Sequence, residues 1–252
     1  MGRFTDKTVL VTGGGSGIGR ATALAFADEG AIVVVAGRTE EKLAETVRLI
    51  EEKGAKGGAV RADLTRSDDV AQLIRTTVSS YGGLHVAVNN GGILAAAGPI
   101  SMIDEEQFAS VLTTNITGTW LAMKHEIAYM SENGGGTIVN VSSSVGPHVT
   151  VPYLGAYGAS KAAISSLTRT AALEAIGAGV RVNAVSPGPI DTPMSLLPGE
   201  TEEGRADRLR EALPIGRVGT VAEVANAVLW LASPESSYAV GVDIVLDGGG
   251  HV

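Results

Sequence analysis

The sequence contains no cysteine, which excludes a disulfide framework, a thiolate metal site and a cysteine nucleophile. It also lacks a basic excess. Its 19 lysines and arginines face 27 acidic residues, for a formal net charge of -8, with no basic block and no interleaving of basic and aromatic residues. Such a chain has no means of gripping a phosphate backbone, so nucleic acid is excluded as a partner. No apolar run is long enough to span a bilayer, which excludes a membrane partner. The amino terminus MGRFTDK passes at once into a strand-like run, leaving no room for a secretory or transit segment, and a cytoplasmic protein is expected. The four histidines, His85, His125, His148 and His251, lack ligand spacing, so no metal is expected.

What is present is a globular balance, with 44% hydrophobic and 18% charged residues over 252 positions. That length allows one large α/β domain or two small ones. Short runs rich in valine and isoleucine recur: TVLVTG from Thr8, AIVVVAG from Ala31, HVAVNN from His85, TIVNVSS from Thr137, RVNAVSP from Arg181 and DIVLDGG from Asp243, with a weaker GAVRAD from Gly58. Being apolar on both faces, they read as strands buried in a parallel sheet. Helix-period segments lie between them, such as Leu43, Val47 and Ile50 after a Thr39 cap, or Val70, Leu73, Ile74 and Val78 after Ser67. The alternation specifies an α/β doubly wound sheet with helices on both faces. No linker, repeat or low-complexity tract divides it, so a single domain over 1–252 is expected.

Two segments break the rhythm. Residues 191–214 mix prolines, glycines and charges with Met194, Leu196 and Leu197, and read either as a substrate lid or as a surface excursion. The stretch from Gly146 to Gly155 precedes a helix and is placed to line a pocket. Its Val149, Val151 and Tyr153, with the apolar trio, favour an apolar substrate.

Directly after the first strand come Gly13, Gly14, Gly15, Ser16, Gly17, Ile18 and Gly19, then an alanine-rich helix beginning near Arg20. A strand, a glycine turn and a helix start in that order bring backbone N–H groups to a pyrophosphate, which predicts dinucleotide binding. The spacing is Gly13-x-x-x-Gly17-x-Gly19, since Ile18 breaks the Gly-x-Gly-x-x-Gly pattern. Ile18 also breaks Gly-x-Ser-x-Gly, so Ser16 is no nucleophile. At the end of the second strand, a carboxylate would accept from a ribose 2′-OH and an arginine would accommodate a 2′-phosphate. The chain has Gly37-Arg38 there, which favours NADP(H), unless Arg38 is simply solvated beside Glu40 and Glu41.

Only five tyrosines occur, and one falls in AYGASK, four residues before a lysine. On a helix, Tyr157 and Lys161 share a face, and the cation is expected to lower the phenol's pKa toward use as an acid or base. The spacing is common on ordinary helices, so the pair gains meaning only from the rest of the chain.

Taken together, these residues resemble a classical short-chain dehydrogenase/reductase over nearly the whole chain. The motifs are Thr12-Gly13-x-x-x-Gly17-x-Gly19, Asp63, Asn89-Asn90-Gly91-Gly92, Asn115, the serines Ser142, Ser143 and Ser144, Tyr157-x-x-x-Lys161, and Pro187-Gly188 with Thr192. The resemblance implies a seven-stranded Rossmann-type sheet and a homotetramer. With the Gly37-Arg38 reading, it gives an NADP(H)-dependent oxidoreductase interconverting a small-molecule ketone and a secondary alcohol. Tyr157 would be the general acid, Ser143 would hold the substrate oxygen, Lys161 would lower the tyrosine pKa and contact the nicotinamide ribose, and Asn115 would support a proton-relay water. The cofactor would meet Gly13, Ser16, Gly17, Ile18, Gly19, Arg38, Asp63, Leu64, Asn89, Gly91, Pro187, Gly188, Ile190 and Thr192, as well as Tyr157 and Lys161.

Three departures from the family pattern stand out. Gly91 replaces an alanine, and His85 replaces an aspartate before the fourth strand. The interval from Ser143 to Tyr157 is one residue longer than in many relatives, which keeps Ser144 as an alternative. An NAD-linked alcohol dehydrogenase and a non-catalytic dinucleotide-binding protein of the same fold are the competing readings.

Overall fold

A computed structural model of the chain describes residues 2–197 and 199–252, so Pro198 of the 191–214 segment lies outside the described residues. The strands are β1 (Thr8–Thr12), β2 (Ile32–Gly37), β3 (Gly57–Arg61), β4 (Val86–Asn89), β5 (Gly136–Val141), β6 (Val180–Pro187) and β7 (Asp243–Leu246). They form one seven-stranded sheet in the order β3-β2-β1-β4-β5-β6-β7, every pair parallel. Each strand coincides with a valine-rich run, because β-branched side chains fit a pleated surface covered on both sides. The two edge strands depart from full burial: β7 is half-buried throughout and β3 alternates.

The helices are α1 (Gly17–Asp28), α2 (Glu40–Glu52), α3 (Ser67–Tyr81), α4 (Glu105–Leu112), α5 (Gly118–Glu132), α6 (Gly155–Ala175), α7 (Glu202–Ala212) and α8 (Val221–Ala232). Strand periodicity divides the core. Val9, Val11, Val33 and Val35 join Phe26, Leu43 and Val228 in a cluster with α1, α2 and α8, while Leu10, Val34 and Ala87 join Leu73, Met123 and Ala172 on the face of α3, α5 and α6. Each fully buried aliphatic side chain contributes roughly 1.5–3 kcal/mol, so the sheet is the main store of stability.

Helix starts differ in detail from expectation. α1 begins at Gly17, ahead of Arg20. Ser67 is the first residue of α3, with Arg66 in the cap position, and Thr39 precedes α2 without a side-chain capping bond. Acidic pairs in the first turns, Glu40 with Glu41 and Asp68 with Asp69, favour these helix ends electrostatically instead.

The chain winds outward from β1 to β3 and then returns to β4 on the other side of β1. That reversal opens a crevice at the carboxyl ends of β1 and β4, where Thr12 pairs with Asn89, and such crevices are where ligands bind in open α/β sheets. The 191–214 segment folds as a short 3₁₀ turn, Pro193–Ser195, followed by α7. The Arg205 guanidinium is buried and ties the segment together, donating to the Thr192 carbonyl at 3.2 Å, Ser195 Oγ at 3.1 Å and the Asp191 carboxylate at 2.5 Å.

Candidate active site

The glycine turn is a cradle that a side chain would fill. Gly13 has φ +65°, and a Cβ there would lie 2.8 Å from Asn90 Nδ2 and 2.9 Å from the Gly91 Cα. A Cβ at Gly19 would collide with the Gly13 carbonyl. Thr12 Oγ1 accepts from the N–H groups of Asn90 and Gly91, both at 3.1 Å, and Asn90 Nδ2 donates to the Thr12 carbonyl at 3.1 Å. This knit joins the ends of β1 and β4. Ser16 is extended at the α1 cap position without a capping bond, and the first turn carries no acidic residue, so the helix start presents its N–H groups and positive dipole end to an anion. Ile18 packs partly into the core, and Thr192 folds over the turn, its Cγ2 3.3 Å from where a Gly17 Cβ would stand.

At the other end of the crevice the Arg38 side chain is exposed and makes no ion pair or hydrogen bond among the described residues. The Glu40 carboxylate beside it pairs with Arg61 at 3.6 Å instead. Asp63 accepts from the Thr65 N–H at 3.0 Å and the Thr65 hydroxyl at 2.8 Å. The Thr65 backbone bond, with Arg38 and Arg66 adding their field, holds the Asp63 carboxyl below its usual range. A Cβ at Gly91 would stand 2.6 Å from Leu64 Cδ1, so the departure from alanine is matched by the leucine that fills the space.

Tyr157 and Lys161 lie one turn apart on α6, both buried. Lys161 Nζ donates to the Val141 carbonyl at 2.9 Å and stands 5.6 Å from the Tyr157 ring centre. Burial pushes the phenol above its ordinary value, and the Ser143 hydroxyl pulls it partly back. Burial also lowers the Lys161 ammonium to about 8. This differs from the expectation that Lys161 lowers the phenol: burial dominates, and the group that opposes it is Ser143. Ser143 is the serine whose hydroxyl bears on the phenol's pKa. It accepts from the Val145 N–H at 3.1 Å and lies 3.5 Å from the Pro187 carbonyl.

Asn115 occupies a π-helical turn, Thr113–Thr117, between α4 and α5, a distortion that recurs at functional sites. Its side chain is fully buried, accepting from the Ile93 N–H at 2.8 Å and donating to the Ile93 carbonyl at 2.9 Å and to Ser160 Oγ at 3.0 Å. Gly92 keeps the space between Asn115 and Lys161 open: a Cβ there would be 3.2 Å from Asn115 Oδ1 and 3.6 Å from Lys161 Nζ.

Other residues are placed differently from expectation. The Asn89 side chain turns inward, donating to Glu126 Oε2 at 2.9 Å and Asn140 Oδ1 at 3.0 Å, which leaves only its backbone toward the crevice. Ile190 is buried, its side chain against Gly219, while Gly188 packs against Asp247 so closely that a Cβ would lie 2.5 Å from the aspartate's. His85 Nδ1 accepts the Thr8 N–H at 3.0 Å, so the imidazole is a hydrogen-bond acceptor in the place of the family's aspartate. Burial and Lys7 lower its pKa, as a neutral acceptor requires. The roles of Thr12 and Asn90 escaped the sequence reading, although both stand inside motifs it quoted.

A glycine cradle at the reversal of a parallel sheet and a buried tyrosine-lysine pair beside it define an α/β dinucleotide-binding architecture. Comparison with known proteins agrees. A family model described as Enoyl-(Acyl carrier protein) reductase matches residues 13–251. The chain is 39% identical over 250 residues to a 2,5-dichloro-2,5-cyclohexadiene-1,4-diol dehydrogenase of Sphingobium indicum, covering 99% of this chain and 98% of that one. It is 40% identical over 250 residues to a glucose 1-dehydrogenase of Gluconobacter oxydans, covering 98% and 92%. Among solved structures, NAD+-bound xylitol dehydrogenase superposes with a TM-score of 0.92 at 32% identity, covering 98% of this chain and 99% of that one. The chain belongs to the classical short-chain dehydrogenase/reductase family, and with it to the oxidoreductases.

Proposed function

We propose that the protein is an NADP(H)-dependent oxidoreductase that interconverts a ketone and a secondary alcohol. The observation that carries this reading is the buried constellation of Tyr157, Ser143, Lys161 and Asn115 beside the glycine cradle. The cofactor fits the residues present: Gly13, Gly17 and Gly19 with the α1 start would hold the pyrophosphate, Asp63 and Leu64 the adenine side, and Pro187, Gly188 and Thr192 the nicotinamide side. When bound, the nicotinamide supplies or accepts the hydride. A phenol kept protonated by burial is suited to donate to the carbonyl oxygen as negative charge grows there. Ser143 uses an acceptor site on the Val145 N–H, and at 3.5 Å the Pro187 carbonyl is a poor competitor for its proton, so that proton can turn from the phenol to the same oxygen. Lys161 would hold the nicotinamide ribose, and Asn115 would support a proton-relay water beside it.

NADP(H) is preferred because the position that needs a carboxylate for the ribose 2′-OH is Gly37, and the adjacent guanidinium has no partner among the described residues. The NAD+-bound neighbour favours the competing NAD-linked reading. A non-catalytic role would not require all four site residues. The exposed Met194 and Leu197 support an apolar lid over 191–214. Exposed Trp120, Leu173 and Trp230 support burial by further copies in a homotetramer. Measuring NADPH and NADH oxidation across a panel of cyclic and open-chain ketones tests the reading. Faster turnover with NADPH is expected; faster turnover with NADH would establish the NAD-linked alternative, and no turnover with either would leave a binding protein.

A further inference from the structure

Asp243, the first residue of the edge strand β7, is almost enclosed although it lies outside the constellation described above, its side chain 11% exposed. Its carboxylate receives three donors from three segments. Oδ1 accepts from Ser186 Oγ at 2.6 Å, and Oδ2 accepts from Ser165 Oγ at 2.6 Å and lies 3.2 Å from His148 Nε2. The two serine contacts have the length of charge-assisted O–H···O⁻ bonds.

Each segment leads directly to the site. Ser186 precedes the Pro187-Gly188 turn. Ser165 stands one turn beyond Lys161 on α6 and meets Ser142 Oγ at 2.9 Å, and Ser142 Oγ lies 2.9 Å from the Lys161 carbonyl. Ser142 immediately precedes Ser143. Because Ser165 commits its proton to Asp243, Ser142 is the one proton source for both of its own contacts, and its single proton is shared between the Lys161 carbonyl and Ser165 Oγ. His148 belongs to the 146–155 loop, which returns through the backbone bonds of His148 and Val149 to the Ser144 carbonyl at 3.1 and 2.8 Å.

We infer that Asp243 is a positioning residue: through Ser165, Ser186 and His148 it sets the relative placement of the Ser143 loop, the Pro187-Gly188 turn and the 146–155 loop, and the His148 contact latches the substrate side. The inference rests on the reading that Ser143 and Tyr157 act on the substrate. Asn at 243 preserves the shape and removes one of the two acceptor oxygens. His148 is partly exposed, and Gln there keeps a polar side chain on a loop with little core to lose.

The experiment measures kcat and KM for ketone reduction, NADPH affinity by fluorescence and Tm for Asp243→Asn, His148→Gln and the double variant, with Tyr157→Phe alongside. Asp243→Asn is expected to lower kcat about tenfold or more, since sub-ångström misplacement of oriented groups is costly, with NADPH affinity within about twofold. His148→Gln is expected to raise the ketone KM roughly fivefold with kcat little changed, and the double variant to be no worse than Asp243→Asn, the signature of a shared interaction. Kinetic constants within about twofold of the parent in both single variants, or strictly additive effects, would overturn it. If Asp243→Asn does not fold, His148→Gln decides alone: an unchanged ketone KM refutes the latch and the proposal with it. An active Tyr157→Phe would instead refute the underlying reading, and the two failures are distinct.

Discussion

The Lys161 ammonium donates to the Val141 carbonyl at 2.9 Å while standing 5.6 Å from the centre of the Tyr157 ring. One helical turn of spacing therefore places the cation over the aromatic face, and its strongest partner is the backbone of β5. Burial acts on both groups in the direction that disfavours charge, raising the phenol and lowering the lysine to about 8.

A pH profile follows. Above a pH of about 8 the free enzyme loses the Lys161 proton while the phenol keeps its own. If the charged lysine is the form that serves reduction, kcat/KM for a ketone falls above that pH by about tenfold per pH unit. Lys161→Met is expected to lower kcat/KM and to abolish the break. A flat parent profile from pH 6 to about 10 would contradict this assignment.

Tyr157→Phe removes the proton donor and leaves the ring packing in place. A loss of about 10²–10⁴ in kcat is expected, with NADPH affinity retained, since a positioned acid contributes that much. Steady-state reduction rates and a direct binding titration separate the two effects. Retention of most of the turnover would remove Tyr157 from the mechanism.

Cofactor choice is testable at one backbone position. Gly37 does not have a positive φ, and a Cβ there would meet only Leu43 Cδ2, at an ordinary 3.6 Å. Gly37→Asp is therefore tolerated sterically and installs the carboxylate that a ribose 2′-OH prefers and a 2′-phosphate repels. The ratio of kcat/KM for NADPH over NADH is expected to fall by at least about tenfold, worth ~1.4 kcal/mol of discrimination. Arg38→Ala should weaken NADPH binding while leaving NADH binding little changed. An unmoved ratio in both variants would place 2′-phosphate recognition elsewhere.

The sheet was legible because runs such as Val33-Val34-Val35 carry their environment in their composition: only a strand covered on both faces is apolar at every position. Tyr157 and Lys161 stand out by their helical spacing, whereas Ser143 and Asn115 were named through the resemblance to the family. The departures at His85 and Gly91 were visible as unusual residues, but their consequences depend on Thr8 and Leu64, far away in sequence. Asp243 meets Ser165 across 78 positions and Asn89 meets Glu126 across 37, and no local periodicity encodes such pairings. The net shift of Tyr157 depends on non-local information of the same kind. Charge proximity can be inferred from a helical repeat, whereas the depth at which the pair is buried cannot.

Glu126 offers a prediction about stability. It is fully buried on α5, with Oε2 accepting from Asn89 Nδ2 at 2.9 Å and Oε1 without a hydrogen-bond partner among the described residues. Burial raises its pKa to about 7 against an ordinary 4.5, and the Asn89 bond only partly opposes this. The folded state thus holds the proton more tightly than the unfolded chain. The resulting stabilisation is complete below a pH of about 4.5 and is lost as the pH rises through about 7. By pH 8 the folded protein carries a buried carboxylate at a cost of roughly 3 kcal/mol. Glu126→Gln keeps the oxygen that Asn89 needs and cannot ionise. At pH 8 its Tm should exceed that of the parent by about 5–10 °C, the scale for ~3 kcal/mol in a chain of this length. The difference should shrink to zero only below a pH of about 4.5, where the carboxyl is protonated in both the folded and the unfolded chain. Thermal unfolding of both proteins at the two pH values checks the sign. A Gln variant less stable than the parent at pH 8 would mean that the ionised carboxylate is stabilised by the buried Asn89 and Asn140 network around it, and that desolvation does not govern this residue.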